Sequence, residues 1–241
     1  MIYLLLIVTL RMTSLSAADS CANTETYLRV LRNLLRNDPS QGLVATKIAA
    51  IRPTQGRHGQ YEVELKKKEL AALLKDPAKL DEYLRNNPVP TVIGPDGIRY
   101  ATDKHHLMRA LHELGIDTCY QRVVADLSSL DQASFVSELQ ARGWIYLHDD
   151  TGKLTQTIGD LPQSVAGLRD DPYRSLAYLV KKAGGFKKSK EPFSEFKWAN
   201  FFRARIMIGP GEQGLQDAVA EAMRLAQSDE ARNLGLPGLA P

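Results

Sequence analysis

The sequence predicts an α+β fold, a small mixed sheet carrying helices and followed by a helical C-terminal part. Three observations predict it. Two short strand-like runs, Thr91 to Ile93 and Ile98 to Ala101, flank Gly94-Pro95-Asp96-Gly97, whose Asp-Gly supplies the positive φ of a tight hairpin. Leu107, Ala110, Leu111 and Leu114 recur with helical period directly after that hairpin. From Asp171-Pro172 onward the pattern is helical. The 241 residues, 44% hydrophobic and 24% charged, suffice for one sizeable core, or one core with a helical extension.

The N-terminus opens on an apolar stretch, Ile2 to Leu10, followed by Ser-Leu-Ser-Ala-Ala with Ser16 and Ala18 at the small-residue positions of a cleavage site. It is too short to span a bilayer, which takes about 20 residues, and fits a secretory leader at 1–18. No basic residue precedes it, so a buried first helix or a start near Met12 is the alternative. The expected location is periplasmic or secreted, with the cytoplasm as alternative. Asn23 to Arg36 spaces Tyr27, Val30, Leu31, Leu34 and Leu35 as an amphipathic helix.

Leu43 to Ile51 reads as a strand, ended by Arg52-Pro53-Thr54-Gln55-Gly56. Helices are expected at about Glu64 to Leu74 and Ala78 to Arg85, the latter broken by Asn86-Asn87-Pro88. The second strand of the hairpin runs into Thr102-Asp103 and a helix to Leu114, closed by Gly115. Tyr120 to Ala125 is a strand and Gln132 to Arg142 a helix. Trp144 to Leu147 and Leu154 to Ile158 suggest a second hairpin around Asp149-Asp150-Thr151-Gly152. Asp171 as N-cap and Pro172 at N1 start another helix, Phe193 to Ile208 forms the next and Gly214 to Gln227 the last, before a mobile tail from Gly235.

Lys and Arg outnumber Asp and Glu by only 31 to 28, so charge does not indicate nucleic acid as a partner, although it remains possible. No membrane span is expected. Cys21 and Cys119 make neither a disulfide framework nor a metal site by themselves, and Cys119, beside a strand, is expected to be buried.

The chemistry concentrates at Asp103-Lys104-His105-His106, where a strand ends and a helix begins. A helix N-terminus exposes unpaired N–H groups and the positive end of its dipole, which together attract anions. Asp103 suits the N-cap, Lys104 adds a point charge for a phosphate, and His105 or His106 can serve as ligand or general acid/base. The leucine stripe faces the core. His105, Arg109 and His112 fall opposite it and His106 at its flank. A solvated polar stripe is the alternative for Arg109 and His112.

Arg52, Thr54 and Gln55 follow the first strand, where Arg52 could fork onto a phosphate and Thr54 donate to one; alternatively Thr54 and Gln55 satisfy backbone groups. Glu195 shares a helical face with Trp198 and Phe202, so it is either a carboxylate with a raised pKa or a buried ion pair with Arg174 or Arg203. Phe193, Phe196, Trp198, Phe201 and Phe202 cover most of the wheel, which indicates a buried helix. Lys181, Lys182, Lys187, Lys188 and Lys190 around Gly184-Gly185 form either a solvated loop or an attractor for an anionic polymer.

The segment from Tyr100 to Leu111 resembles the Asp-Gly-His-His box of ParB-like proteins. Ile51-Arg52-Pro53-Thr54-Gln55 with Glu62-Val63, Asp149-Asp150-Thr151-Gly152, Leu161-Pro162, Asp170 to Leu176, and Glu195-Phe196-Lys197-Trp198-Ala199 are similar to the ParB-like nuclease family of the ParB/sulfiredoxin superfamily. The resemblance spans about residues 43 to 206 and departs at Lys104, where that family usually has glycine.

It implies a ParB/sulfiredoxin fold binding a phosphate-containing ligand or nucleotide. Residues 19–42 would form an N-terminal helical region, 43–208 the ParB-like domain with its helical C-terminal half, and 209–241 a C-terminal helix and tail. The expected activity is that of a nuclease or phosphoesterase with Asp103, His105 and His106 at the reacting phosphate and Arg52 and Lys104 stabilising charge. The alternatives are a nucleotide-dependent kinase of a small hydroxyl substrate, with Glu62 as base by similarity, and a catalytically inactive binding module. The cofactor stays open, a divalent metal such as magnesium being one option, and no metal ligands are assigned.

Overall fold

The computed structural model describes residues 42–149, 151–154 and 157–239. The leader at 1–18, the helix expected at 23–36 and Cys21 lie outside the described residues. The fold is α+β, as expected. Strands β1 (Val44–Lys47), β2 (Ile51–Pro53), β4 (Val89–Ile93), β5 (Arg99–Ala101) and β6 (Thr118–Asp126) form a five-stranded mixed sheet in the order β1-β6-β4-β5-β2. Two residues each from β3 (Arg57–His58) and β7 (Arg169–Asp170) make a separate parallel pair.

The single strand expected over 43–51 is divided. A 3-10 turn at Ile48–Ala50 separates β1, antiparallel to β6 at one edge, from β2, parallel to β5 at the other. The turn is fixed by the Ile48 N–H, which donates to the Asp117 carbonyl at 2.7 Å. Because β2 and β5 run parallel with Pro53 beside Ala101, the segments leaving both strands emerge side by side. That register brings the Thr54 turn to the Asp103 turn.

The hairpin of β4 and β5 is antiparallel with Gly97 at φ +73°, as the Asp-Gly pair requires. The second expected hairpin does not form a ladder. His148 and Leu154 make one isolated bridge, Ile158–Asp160 is a 3-10 turn, and Tyr146 instead pairs with Gln55 and donates its N–H to the Thr54 carbonyl at 2.9 Å. The Asp149 carboxylate takes the N–H groups of Thr151 and Lys153, the local side-chain bonding that competes with strand pairing.

The helices are α1 (Gln60–Leu73), α2 (Pro77–Asn86), α3 (His105–Glu113), α4 (Gln132–Ala141), α5 (Pro172–Lys182), α6 (Ser194–Arg203), α7 (Gly211–Ala226) and α8 (Asp229–Asn233). α1 starts four residues earlier than expected and α8 was not expected. α5 begins as the sequence indicates, the Asp171 carboxylate accepting from Tyr173 N–H at 3.0 Å with Pro172 at N1. α6 is shorter than the expected 193–208: the chain tightens at Arg203 and the Ile206 carbonyl is taken by the Tyr173 hydroxyl at 2.8 Å.

α3 packs on one face of the sheet with α1, burying Ile51, Val63, Leu70, Leu107 and Leu111, while α4 covers the other face at Val92, Tyr100 and Phe135. α5, α6 and α7 close a third cluster around Leu176, Val180, Trp198 and Phe202. The C-terminal tail, expected to be mobile, is docked as far as it is described. Trp198 donates its indole N–H to the Pro237 carbonyl at 2.9 Å, Lys187 N–H donates to the Gly238 carbonyl at 2.8 Å, and Leu236 and Leu239 pack on the helical cluster. A buried indole N–H needs an acceptor, and the tail supplies it.

Candidate functional site

The turn after β5 carries the main local departure from ordinary backbone. Lys104 adopts the left-handed conformation at φ 65° and ψ 24° and is itself the N-cap position of α3. Asp103, expected to be the N-cap, lies one residue earlier, and its carboxylate accepts the Lys104 N–H at 2.7 Å. This corrects the expected capping and explains the glycine usual at position 104 in the resembled family, since glycine takes positive φ without a Cβ penalty. The N–H groups of His105, His106 and Leu107 have no acceptor within the helix and mark its positive end.

His105 is buried, 5% exposed, and does not lie on an open polar stripe. The Thr54 N–H donates to its Nε2 at 3.2 Å and Thr54 Oγ1 donates to the Ala101 carbonyl at 2.7 Å, so the two parallel strand ends are tied together under the turn. Burial pushes the His105 imidazole down to about 4, against the pull of Asp103. Gln55 likewise donates its amide to the Arg57 carbonyl. Thr54 and Gln55 therefore use their polar groups on backbone and imidazole. Arg109 is no solvated residue either. It pairs with Glu113 at 2.7 Å and donates to the carbonyls of Val165 and Ala166, holding that turn on α3.

His106 faces outward into a cleft between α1 and α3. Its Nε2 accepts the Gly59 N–H at 3.3 Å and lies 3.3 Å from Glu62 Oε2. A ring nitrogen that accepts an N–H bears no proton, so the neutral imidazole carries its hydrogen on Nδ1. Burial drives the His106 pKa well below its ordinary value, with Arg174 and His58 adding to the effect. Burial drives Glu62 the other way, up to about 7, with the cation of Arg174 opposing. The pair is thus a neutral imidazole beside a carboxyl about half protonated near neutrality rather than a salt bridge, and with the Gly59 N–H on the Nε2 lone pair, Glu62 Oε2 has no hydrogen-bond partner. Gly59 permits this approach, since a Cβ there would stand 2.9 Å from Glu62 Oε2.

The cleft has a volume of about 540 Å³ and is lined by Glu62, Asp103, Lys104 and His106, together with Lys66, Glu69, Asn87, Tyr83, Tyr178 and Lys188. Lys104 Nζ donates to the Asn87 side chain at 3.2 Å, and Lys66 Nζ donates to the Tyr83 hydroxyl at 3.0 Å. Of the residues the sequence points to, Glu62, Asp103, Lys104 and His106 line the cleft, and Lys66, Glu69, Tyr83, Asn87 and Tyr178 join them only through the fold. The signal for Lys66 and Glu69 is their spacing from Glu62, at i+4 and i+7 on one face of α1. Arg52, Thr54, Gln55 and His105 lie outside the lining of the cleft.

Arg174 and Glu195 lie behind it. Glu195 contacts Arg174 at 3.4 Å and also pairs with Lys181, while Arg203 pairs with Asp171. Burial pushes the Glu195 carboxyl up, but Arg174 and Lys181 outweigh that and hold it below its ordinary value. Of the two readings of Glu195, the buried ion pair with Arg174 is the one present. Among the described residues no group of three His, Cys, Asp or Glu side chains is arranged to hold a metal ion, and no helix is long and apolar enough to cross a membrane. Cys119 is a buried free thiol.

A family model described as "Putative ParB-like nuclease" matches residues 44–204. The crystal structure of protein Atu1540 from Agrobacterium tumefaciens is similar in fold and sequence, with a TM-score of 0.71 and 41% identity over 82% of this chain and 97% of that one. Among curated proteins none matches the chain.

Proposed function

The chain belongs to this ParB-like nuclease family, and from that premise we propose that the cleft between α1 and α3 binds a phosphoester and hydrolyses it. The observation that carries the reading is the Glu62–His106 contact at 3.3 Å in a cleft that also holds Lys66, Lys104 and Lys188. A carboxyl poised near pH 7 is matched to general acid/base work, because it can both take and return a proton at working pH.

In the proposed step the phosphate sits at the N-terminus of α3, where N–H groups and lysine charges offset its negative charge. Ionised Glu62 takes the proton of an attacking water as the new P–O bond forms. The protonated carboxyl then returns the proton to the departing oxygen as the ester bond breaks. His106 packs its Nε2 at 3.3 Å from Glu62 and helps keep the carboxyl from water, while its Nδ1–H remains a donor. Asp103 holds the turn by bonding the Lys104 N–H, and buried His105 fixes it to Thr54. Roles at the phosphate for Arg52, Thr54 and Gln55 find no support in this arrangement, since they lie away from the cleft lining.

Tyr83 and Tyr178 favour a second reading. Two aromatic side chains in a cleft of about 540 Å³ suit a single nucleotide, and the same Glu62 would activate the hydroxyl of a small acceptor in phosphoryl transfer. An exported chain with its leader removed after Ala18 would meet little ATP, which favours hydrolysis, and N-terminal sequencing of the mature protein decides that point. The test of function is turnover of phosphodiesters and nucleoside triphosphates, with and without magnesium, by wild type and Glu62→Gln. Release of phosphate or alcohol by wild type alone supports hydrolysis. Transfer to serine-like hydroxyls supports the kinase, and phosphate binding without turnover of either kind leaves a binding module.

A further inference from the structure

We propose that Arg174 is a positioning residue for this cleft, its buried guanidinium setting the charge state of Glu62 from behind. The inference rests on the reading of Glu62 as the base of the site.

Arg174 stands in the first turn of α5 with a side chain only 6% exposed. Arginines buried to this degree are ordinarily held by bidentate carboxylates that use the guanidinium fully. Arg174 is held far less completely. It has the single contact to Glu195 at 3.4 Å, its guanidinium lies 3.9 Å from the centre of the Phe196 ring, and its Nε has no protein partner. Glu195 divides its charge between Arg174 and Lys181. Two cations against one carboxylate leave this cluster, in which Arg174 is buried and Lys181 and Glu195 are partly exposed, with one positive charge in surplus.

Glu62 is placed beside that surplus. The first turn of α1 rests on the first turn of α5 through the Tyr61 N–H, which donates to Ser175 Oγ at 3.2 Å. Gly59 makes the approach possible, since a Cβ there would meet Ser175 N and Oγ at 3.0 Å. Glu62 and Arg174 are thus each one residue from the touching pair, and Glu62 Oε2 is, like Arg174 Nε, buried without a hydrogen-bond partner.

Ionised Glu62 would bring the cluster to neutrality, whereas the protonated form leaves buried Arg174 less completely compensated. Around Glu62, Arg174 and Lys181 favour the carboxylate and Glu195 disfavours it, and the neutral His106 imidazole lies 3.3 Å away. Tyr178, facing it from α5, is held protonated by burial first and by Glu62 second. Arg174 also bears on His105 and His106, favouring the neutral imidazoles.

The experiment is a carbon-13 NMR titration of glutamate-labelled full-length protein, the Glu62 carboxyl assigned by its loss in Glu62→Gln. Arg174→Met should raise the Glu62 midpoint by about one pH unit, as removal of a nearby opposite charge does, and Arg174→Lys should restore most of it. Glu195→Gln should move the midpoint the opposite way, downward. An unchanged or lowered midpoint in folded Arg174→Met overturns the proposal. Should that variant not fold, Glu195→Gln decides alone, and an unchanged or raised midpoint there overturns it. The readout is Glu62 itself, so a shifted midpoint in a protein that turns over no phosphoester counts against the proposed function and leaves the role of Arg174 standing.

Discussion

Glu62 Oε2 and His106 Nε2 meet at 3.3 Å across the packed faces of α1 and α3, and the Gly59 N–H occupies the same imidazole nitrogen. The arrangement is a neutral imidazole against a carboxyl that is about half protonated near pH 7, because burial acts on the two in opposite directions.

Removing His106 should therefore affect both rate and pH profile. His106→Ala takes away the imidazole packed on the carboxyl and opens it to water, so any phosphoester turnover should fall by about 10²-fold or more, with its acidic limb displaced to lower pH because Glu62 loses part of its burial. Steady-state kinetics between pH 5 and 9 check this. An unchanged profile would move the base elsewhere.

Stability should carry the mark of Glu62. The folded protein holds this proton up to about pH 7, and the unfolded chain only to about pH 4.3. Between those limits the folded state binds the extra proton, so the stabilising contribution of the group is complete below the window, declines as pH rises through it and is level above. The displacement corresponds to about 4 kcal/mol at most. Glu62→Gln should accordingly gain on wild type from pH 4.5 to 7.5 in urea denaturation. A difference independent of pH would contradict the raised carboxyl.

Lys104 holds a left-handed backbone that costs a side-chain-bearing residue about 1 kcal/mol. Lys104→Gly should relieve it and stabilise the fold by roughly that amount, while Lys104→Ala should not. Both should weaken inorganic phosphate binding if the lysine charge helps hold the anion. Thermal denaturation and calorimetric titration separate the two effects, and equal stabilities of the glycine and alanine variants would remove the backbone argument.

Deleting residues 236–241 should destabilise the helical C-terminal part, because Trp198 loses the Pro237 acceptor and Lys187 the Gly238 carbonyl. The expected loss is about 3 kcal/mol, from an unsatisfied buried indole and exposed apolar surface. Denaturant unfolding followed by tryptophan fluorescence measures it. A truncated chain with the wild-type midpoint would show that the docked tail contributes nothing.

What the sequence determines by itself is what local physics encodes. The Asp-Gly pair dictates the β4–β5 hairpin, Asp171-Pro172 starts α5, the leucine stripe orients α3, and the strand-to-helix step places Asp103, Lys104 and His106 at an anion-attracting end. Periodicity tells which face of α3 is apolar. It cannot tell what covers the other face, and so His105 was expected in the open although the Thr54 turn lies over it. The same limit hid the split of the first strand and the docking of the tail, each decided by partners distant in sequence. It also hid the pairing of Glu62 with His106 and the buried cation behind them, since burial, and the pKa shifts it causes, exist only once α1, α3, α5 and α6 have packed.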